Sequence, residues 1–299
     1  MERKQIKLDP LSKMCCELYP GVFCFCRFID NVIQIIKEKK IILFQYKRIV
    51  TSVEFFAHNE IKNNTNNTTI HTSEIIFGDE AGYLNLLQIE FEINNKKQEF
   101  QLNPEKAKIT KVNKAHNSFI QGILYIKRLN IIISYSEKGQ ISINNAYSFN
   151  IINIIDIGEK FYIKDIKLSV YDLMYIYCYN NINKKEYIKC YSLNGVKVTK
   201  LSTNKKIINF FVDEKIIIVY ENNYIELFNL YDLSKNNIEV HPDIKDNDDI
   251  KDNNNITKKN KKIIVFSDYI KKYSSLIIIY DDKDIIAQNI SYEISNDFI

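Results

Sequence analysis

The sequence has no tryptophan and only seven glycines and four prolines among 299 residues, and what is missing removes whole classes of function. No glycine-rich phosphate loop, G-x-S-x-G elbow or H-E-x-x-H pair is present. No stretch approaches 18 uninterrupted apolar residues, and the first ten residues, MERKQIKLDP, carry charge where a signal peptide has an apolar run. A cytoplasmic chain without a transmembrane segment is therefore expected. Charge of one sign is missing too: 41 basic residues face 37 acidic ones, a net +4, which is not the field a nucleic-acid partner demands. The six cysteines, Cys15, Cys16, Cys24, Cys26, Cys178 and Cys190, show no disulfide framework and read as reduced thiols.

What is abundant is isoleucine, asparagine, lysine and tyrosine, and a hydrophobic fraction of 45% is enough for a sizeable core. β-Branched and aromatic residues gather in short runs between polar breaks, as strands do: Ile41 to Phe44, Glu74 to Phe77, Leu84 to Phe91, Ile131 to Tyr135, Met174 to Tyr179, Lys215 to Tyr220, Tyr224 to Phe228, Ile263 to Phe266 and Leu276 to Tyr280. Nowhere is helical spacing sustained.

The runs come in pairs, each pair an apolar run, a polar turn and a second apolar run. Such hairpin phrases begin at Val22, Glu74, Asn130, Leu173, Glu214 and Ser275, so successive steps are 52, 56, 43, 41 and 61 residues. The shorter steps match the roughly 40 to 45 residues of a four-stranded propeller blade. Two long steps contain polar tracts, NNTNNTT (Asn63 to Thr69) and KDNDDIKDNNNITKKNKK (Lys245 to Lys262), and the step of 56 has no visible insertion. The expected architecture is all-β: a WD-repeat-like β-propeller of six or seven four-stranded blades in a single domain over 1–299. An N-terminal extension over 1–20 and a low-complexity loop over 235–262 complete the expectation.

A Gly-His pair opening the repeat and a Trp-Asp pair closing it mark WD-repeats. The second pair cannot occur here; Ala115-His116, and more faintly Ala57-His58, stand where the first would. The segments CRFIDNVIQI (Cys26 to Ile35), ILFQYKRIVTSVEFF (Ile42 to Phe56) and FGDEAGYLNL (Phe77 to Leu86) resemble the opening of the C-terminal WD-repeat region of BEACH-domain proteins, the neurobeachin group. SEKGQISIN (Ser136 to Asn144) and KCYSLNGVKVTKLS (Lys189 to Ser202) are similar to two later phrases of that region. The sequence departs from the group at Ile29, where the group has an aromatic residue, and at Gln45-Tyr46, where it has Gly-His. The resemblance implies a non-catalytic protein-interaction scaffold in intracellular membrane trafficking, cytoplasmic and peripheral to vesicle or endomembrane surfaces. Its partners would be proteins, and membrane association would be indirect, through them or through an upstream BEACH domain. No catalytic residue, cofactor or metal is implied. The alternatives are a propeller subunit of another multiprotein complex, or a propeller with a small-ligand or catalytic site in its central channel.

Individual residues read as structural. Asn194-Gly195 suits a two-residue type I′ turn, which needs positive φ at both positions, and Gly82 and Gly139 read as turn glycines. The histidines His58, His71, His116 and His241 lie far apart, with no cysteine or carboxylate beside them at metal-ligand spacing. In a WD-repeat the blade histidine donates to a buried carboxylate network, so His58 and His116 would find Asp30 or Asp79. Cys24 and Cys26 would share one face of a strand and pack in the core, and Cys15-Cys16 would pack or lie outside the fold unless palmitoylated. Asp165, Asp172 and Asp213 recur near blade boundaries in hydrogen-bonding positions.

Overall fold

Isoleucine-rich runs of five to eight residues lose least as extended backbone, where a branched Cβ packs across a pleated surface. The structure, a computed structural model, describes residues 12–19, 22–27, 31–37, 40–63, 68–94, 99–102, 107–221, 224–240, 264–270, 275–280 and 285–289. The chain groups into two compact units, Met1–Lys164 and Asp165–Ile299.

Unit 1 holds three antiparallel meanders. The first sheet runs β1 (Ser12–Tyr19), β2 (Val22–Arg27), β3 (Val32–Lys37) and β4 (Lys40–Gln45). The second runs β5 (Val50–Asn63), β6 (Thr68–Asp79), β7 (Tyr83–Asn94) and β8 (Glu99–Leu102), with β9 (Lys108–Lys114) also paired to β7. The third runs β10 (Ile120–Ile126), β11 (Ile131–Ser136), β12 (Gln140–Asn145) and β13 (Ile151–Asp156). The boundary between units falls within β14 (Phe161–Leu168), which begins the fourth sheet with β15 (Leu173–Asn180), β16 (Glu186–Ser192) and β17 (Lys197–Thr203). The fifth is β18 (Ile207–Val212), β19 (Lys215–Tyr220), β20 (Ile225–Asn229) and β21 (Lys235–Val240). The sixth has three strands among the described residues, β22 (Ile264–Ile270), β23 (Ser275–Tyr280) and β24 (Ile285–Asn289).

The six phrases of the sequence are thus the second and third strands of six sheets. Three boundaries need correction. Residues 12–19, expected as an extension, form β1, in which Met14 to Cys16 pair with Cys26 to Cys24 and gain the backbone hydrogen bonds of the β2 edge. The loop expected from 235 starts as strand β21, with Glu226 opposite Glu239, and its remainder lies outside the described residues. The tract NNTNNTT is also partly strand: Asn63 pairs with Thr68 and Lys62 with Thr69, so the 52-residue step comes from lengthened strands. The unexplained step of 56 is an added strand. Twelve-residue β7 outruns a single partner, pairing through Phe91 to Asn94 with β8 and through Tyr83 to Gln88 with β9.

Two loop designs recur. In one, a Ser or Asp carbonyl accepts the N–H of a left-handed residue three positions on, and its side chain accepts a following amide. Asp79 with Gly82 (3.1 Å, φ 84°), Ser192 with Gly195 (3.0 Å, φ 86°) and Ser169 with Asp172 (3.2 Å, φ 62°) share it. The Asn194-Gly195 turn is therefore not type I′: φ is positive at Gly195 and not at Asn194, as in a three-residue loop ending in a left-handed residue. In the other design, Asn145, Asn180 and Asn229 accept the N–H four residues on, from Phe149, Lys184 and Leu233, each left-handed at φ 62°, 56° and 55°. The Oδ1 of Asn145 and of Asn180 also accept the amides two and three residues on, which offsets part of the cost of a left-handed non-glycine residue.

Inner strands bury both faces. On β6, Ile75 and Phe77 pack with Val22, Cys24, Ile33 and Ile35 of the first sheet, whereas Ile76 packs with Ile120, Ile123 and Ile132 of the third. In unit 2, Tyr175, Ile188 and Cys190 of the fourth sheet pack with Phe210, Ile216, Ile218 and Phe228 of the fifth. A Cβ on Gly82 would lie 2.2 Å from the His116 carbonyl oxygen, in a left-handed conformation. Gly82→Ala is expected to cost at least about 2 kcal/mol, read as a lower denaturation midpoint at unchanged slope. Gly158→Ala is expected to cost less, since its Cβ would meet nothing nearer than Phe161 at 3.7 Å.

Candidate functional site

Among the described residues, three of the sheets carry one polar device: a side chain from the segment just before the first strand reaches the second or third strand. In the second sheet it is Tyr46, whose hydroxyl lies 3.1 Å from both Asp79 Oδ2 and Asn85 Oδ1, sharing its proton. Asp79 is fully buried and well supplied. Arg48 Nη1 donates to Oδ2 (3.1 Å), and the amides of Ala81 and Tyr83 donate to Oδ1 (3.0 and 2.9 Å). Burial, then the Asp79 charge, push the Tyr46 hydroxyl above its ordinary pKa. The expected carboxylate network therefore exists, with tyrosine in the histidine's place. In the third sheet His116 meets no carboxylate: Nε2 lies 2.9 Å from Ser134 Oγ and Nδ1 3.0 Å from Gln140 Oε1. Burial drives its pKa down to about 4, outweighing these bonds, because a buried cation beside two neutral partners is poorly solvated. In the fifth sheet Lys205 donates to Glu226 (2.8 Å), with Lys235 at 3.4 Å. Burial acts to raise the Glu226 pKa, yet the bonds from Lys205 and Tyr220 and the two lysine charges hold it below the usual range.

The other expected residues take ordinary places. Asp30 and His241 lie outside the described residues. Asp165 accepts from its neighbour Ile166 and pairs with Lys167 (3.1 Å); Asp172 and Asp213 occupy the turns joining first to second strands. Cys24 is buried in the core, and Cys15 and Cys16 lie in β1, Cys16 opposite Cys24. Cys178 and Cys190 are free thiols, likewise buried, and burial pushes the Cys178 thiol up to about 12, far from thiolate reactivity.

The lengthened β5–β6 hairpin brings two histidines together. His58 and Glu60 stand two apart on β5, hence on one face; Glu60 pairs with His71 and His58 with Ser73. His58 Nε2 lies 3.2 Å from His71 Nδ1, and Glu60 Oε1 lies 3.5 Å from the first and 3.6 Å from the second. Among the described residues these three are the group that could hold a metal ion. The signal in the sequence was H-x-E on a strand, a spacing that matters only once β6 supplies the second ring.

An apolar surface lies at one end of unit 2. In an antiparallel meander the loops joining strands one to two and three to four leave from the same end. There Val170 and Tyr171 (56% and 58% exposed), Val196 (65%) and Tyr231 (59%) stand in solvent, with the Tyr171 and Tyr231 rings 5.8 Å apart. The loop under Tyr231 is fixed by Tyr175 Oη donating to the Leu230 carbonyl (2.6 Å) and Thr199 Oγ1 to that of Asp232 (3.4 Å). This is the end opposite the connections between successive sheets.

No family model matches the chain, and no curated protein matches its sequence. Among solved structures the chain is similar to the WD40 domain of Neurospora crassa Pan2, at 11% identity and a TM-score of 0.54, over 93% of this chain and 72% of that one. The chain has the fold of a WD-repeat β-propeller, and its four-stranded meanders are the blades. Among the described residues no helix is long and apolar enough to cross a membrane; a single 3-10 turn, Lys127–Leu129, is the only helix there.

The depressed His116 pKa carries a definite sign. Above the unfolded value, near 6.5, both states are neutral; as pH falls towards about 4 the unfolded chain takes up a proton that the folded one refuses, so stability is lost across that window. His116→Gln is expected to remove roughly 3 kcal/mol of acid-induced destabilisation between pH 6.5 and 4, seen as a shallower fall of unfolding free energy with pH.

Proposed function

We propose that the chain is a non-catalytic protein-interaction scaffold of the BEACH/WD-repeat type, acting in intracellular membrane trafficking. The observation that carries the scaffold reading is the Tyr171–Tyr231 pair with Val170 and Val196. Tyrosine and aliphatic side chains held in solvent on loops pinned by hydrogen bonds lose little entropy when covered, and interface energy concentrates on such aromatic anchors. The trafficking reading rests on the phrases from Cys26 to Ser202 that resemble the neurobeachin group, and membrane attachment would come through protein partners.

Affinity purification from native lysate tests both levels, with the tagged chain compared to its Tyr171→Asp/Tyr231→Asp variant. The wild type is expected to recover vesicle-tethering or autophagy components, and the variant at least about tenfold less at an unchanged melting temperature. Recovery of a stable assembly without membrane-traffic components would make the chain a subunit of another complex. Equal recovery by the variant would rule this surface out.

A further inference from the structure

We infer that the β5–β6 hairpin carries a binding site for a divalent transition-metal ion of the zinc class, with His58 Nε2, His71 Nδ1 and Glu60 Oε1 as ligands. The site is independent of the scaffold reading. Its geometry is the first argument. Four ligands at about 2.0–2.1 Å from a tetrahedral zinc ion lie about 3.3–3.4 Å from one another. The three candidate atoms are separated by 3.2, 3.5 and 3.6 Å, so they already mark out one face of that tetrahedron.

Proton accounting is the second argument. Ser73 Oγ donates its hydrogen to the Leu18 carbonyl at 3.3 Å, so at His58 Nδ1, 2.8 Å away, it accepts. Nδ1 of His58 therefore carries the hydrogen and Nε2 presents a bare lone pair to His71 and Glu60. A ligating histidine is ordinarily held in just this way, through a hydrogen bond from its other nitrogen. The cluster so formed is two ring nitrogens and a carboxylate oxygen converging on one point, the donor set borderline divalent ions select.

Rigidity is the third. The His71 side chain is 3% exposed and its ring is stacked on Phe91, 5.2 Å between centroids at an interplanar angle of 6°, and His58 stacks on His71 at 5.3 Å. Neither ring can turn away without disturbing the core around Phe91. Glu60, 44% exposed, closes the site from the solvent side, where a water would complete the tetrahedron. Three protein ligands with a water as the fourth would set this apart from a closed structural site.

Metal-free full-length protein titrated with Co2+ tests the inference through the visible absorption of the bound ion, with Zn2+ as competitor. One equivalent per chain is expected, giving the intense bands of a tetrahedral N2O2 site that Zn2+ abolishes. Since Glu60 lies on the surface, Glu60→Gln keeps the fold and is expected to weaken binding at least about tenfold, as is Ser73→Ala, which frees the His58 ring. His58→Ala is expected to remove it. Zn2+ should also raise the melting temperature of the wild type and leave that of Glu60→Gln unchanged. Absence of stoichiometric binding, or equal binding by wild type, Glu60→Gln and His58→Ala, overturns the assignment; the second result would locate the ion elsewhere.

Discussion

The polar ties from the lead-in segments into the sheets fix what apolar burial leaves free. Isoleucine faces attract without direction, and a sheet of near-identical Ile runs can slide or flip at little cost. Tyr46 on Asp79, His116 on Ser134 and Gln140, and Lys205 on Glu226 each demand one partner, since a buried polar group left alone costs on the order of 1–3 kcal/mol. They set where each first strand starts relative to the hairpin beside it. The chain keeps this constraint while changing its chemistry from tyrosine–carboxylate to imidazole–hydroxyl to ammonium–carboxylate. That variation also makes the sheets respond differently to acid: the neutral His116 and the ionised Glu226 both lose their advantage as pH falls, each through its own folded-state pKa.

Around these ties the second sheet departs most from the repeat, and the departure creates chemistry. Its lengthened β5, β6 and β7 carry His58, Glu60, His71 and Phe91 on one face, and the added strand β9 leaves β7 with two partners. A blade of ordinary length would end before Glu60 and His71 could pair. The apolar loop tips of unit 2 show the complementary strategy, in which strands keep their usual length and exposed side chains are placed on loops whose backbones are already satisfied.

Much of the fold was legible. The six phrases marked six sheets because period-two alternation of β-branched residues leaves a strand no other economical conformation, and β2–β3, β15–β16 and β19–β20 lie where the phrases lie. The low-complexity reading failed at Asn63, Thr68 and Lys235 because composition measures hydrophobicity, whereas a strand extending a neighbour gains backbone hydrogen bonds whatever its side chains are. The abundant asparagines include Asn145 and Asn180, whose side chains hold left-handed turns closed.

By itself the sequence determined that this chain is all-β and built on a repeated hairpin, since those properties follow from local preference and periodicity. Tertiary structure alone decided which side chains meet. His58 and His71 are thirteen residues apart in sequence and 3.2 Å apart in space, and Tyr171 and Tyr231 come together across two sheets. Such meetings depend on strand register and loop reach, which no local pattern encodes, so the candidate metal ligands and the candidate partner surface both emerge only once the strands are paired.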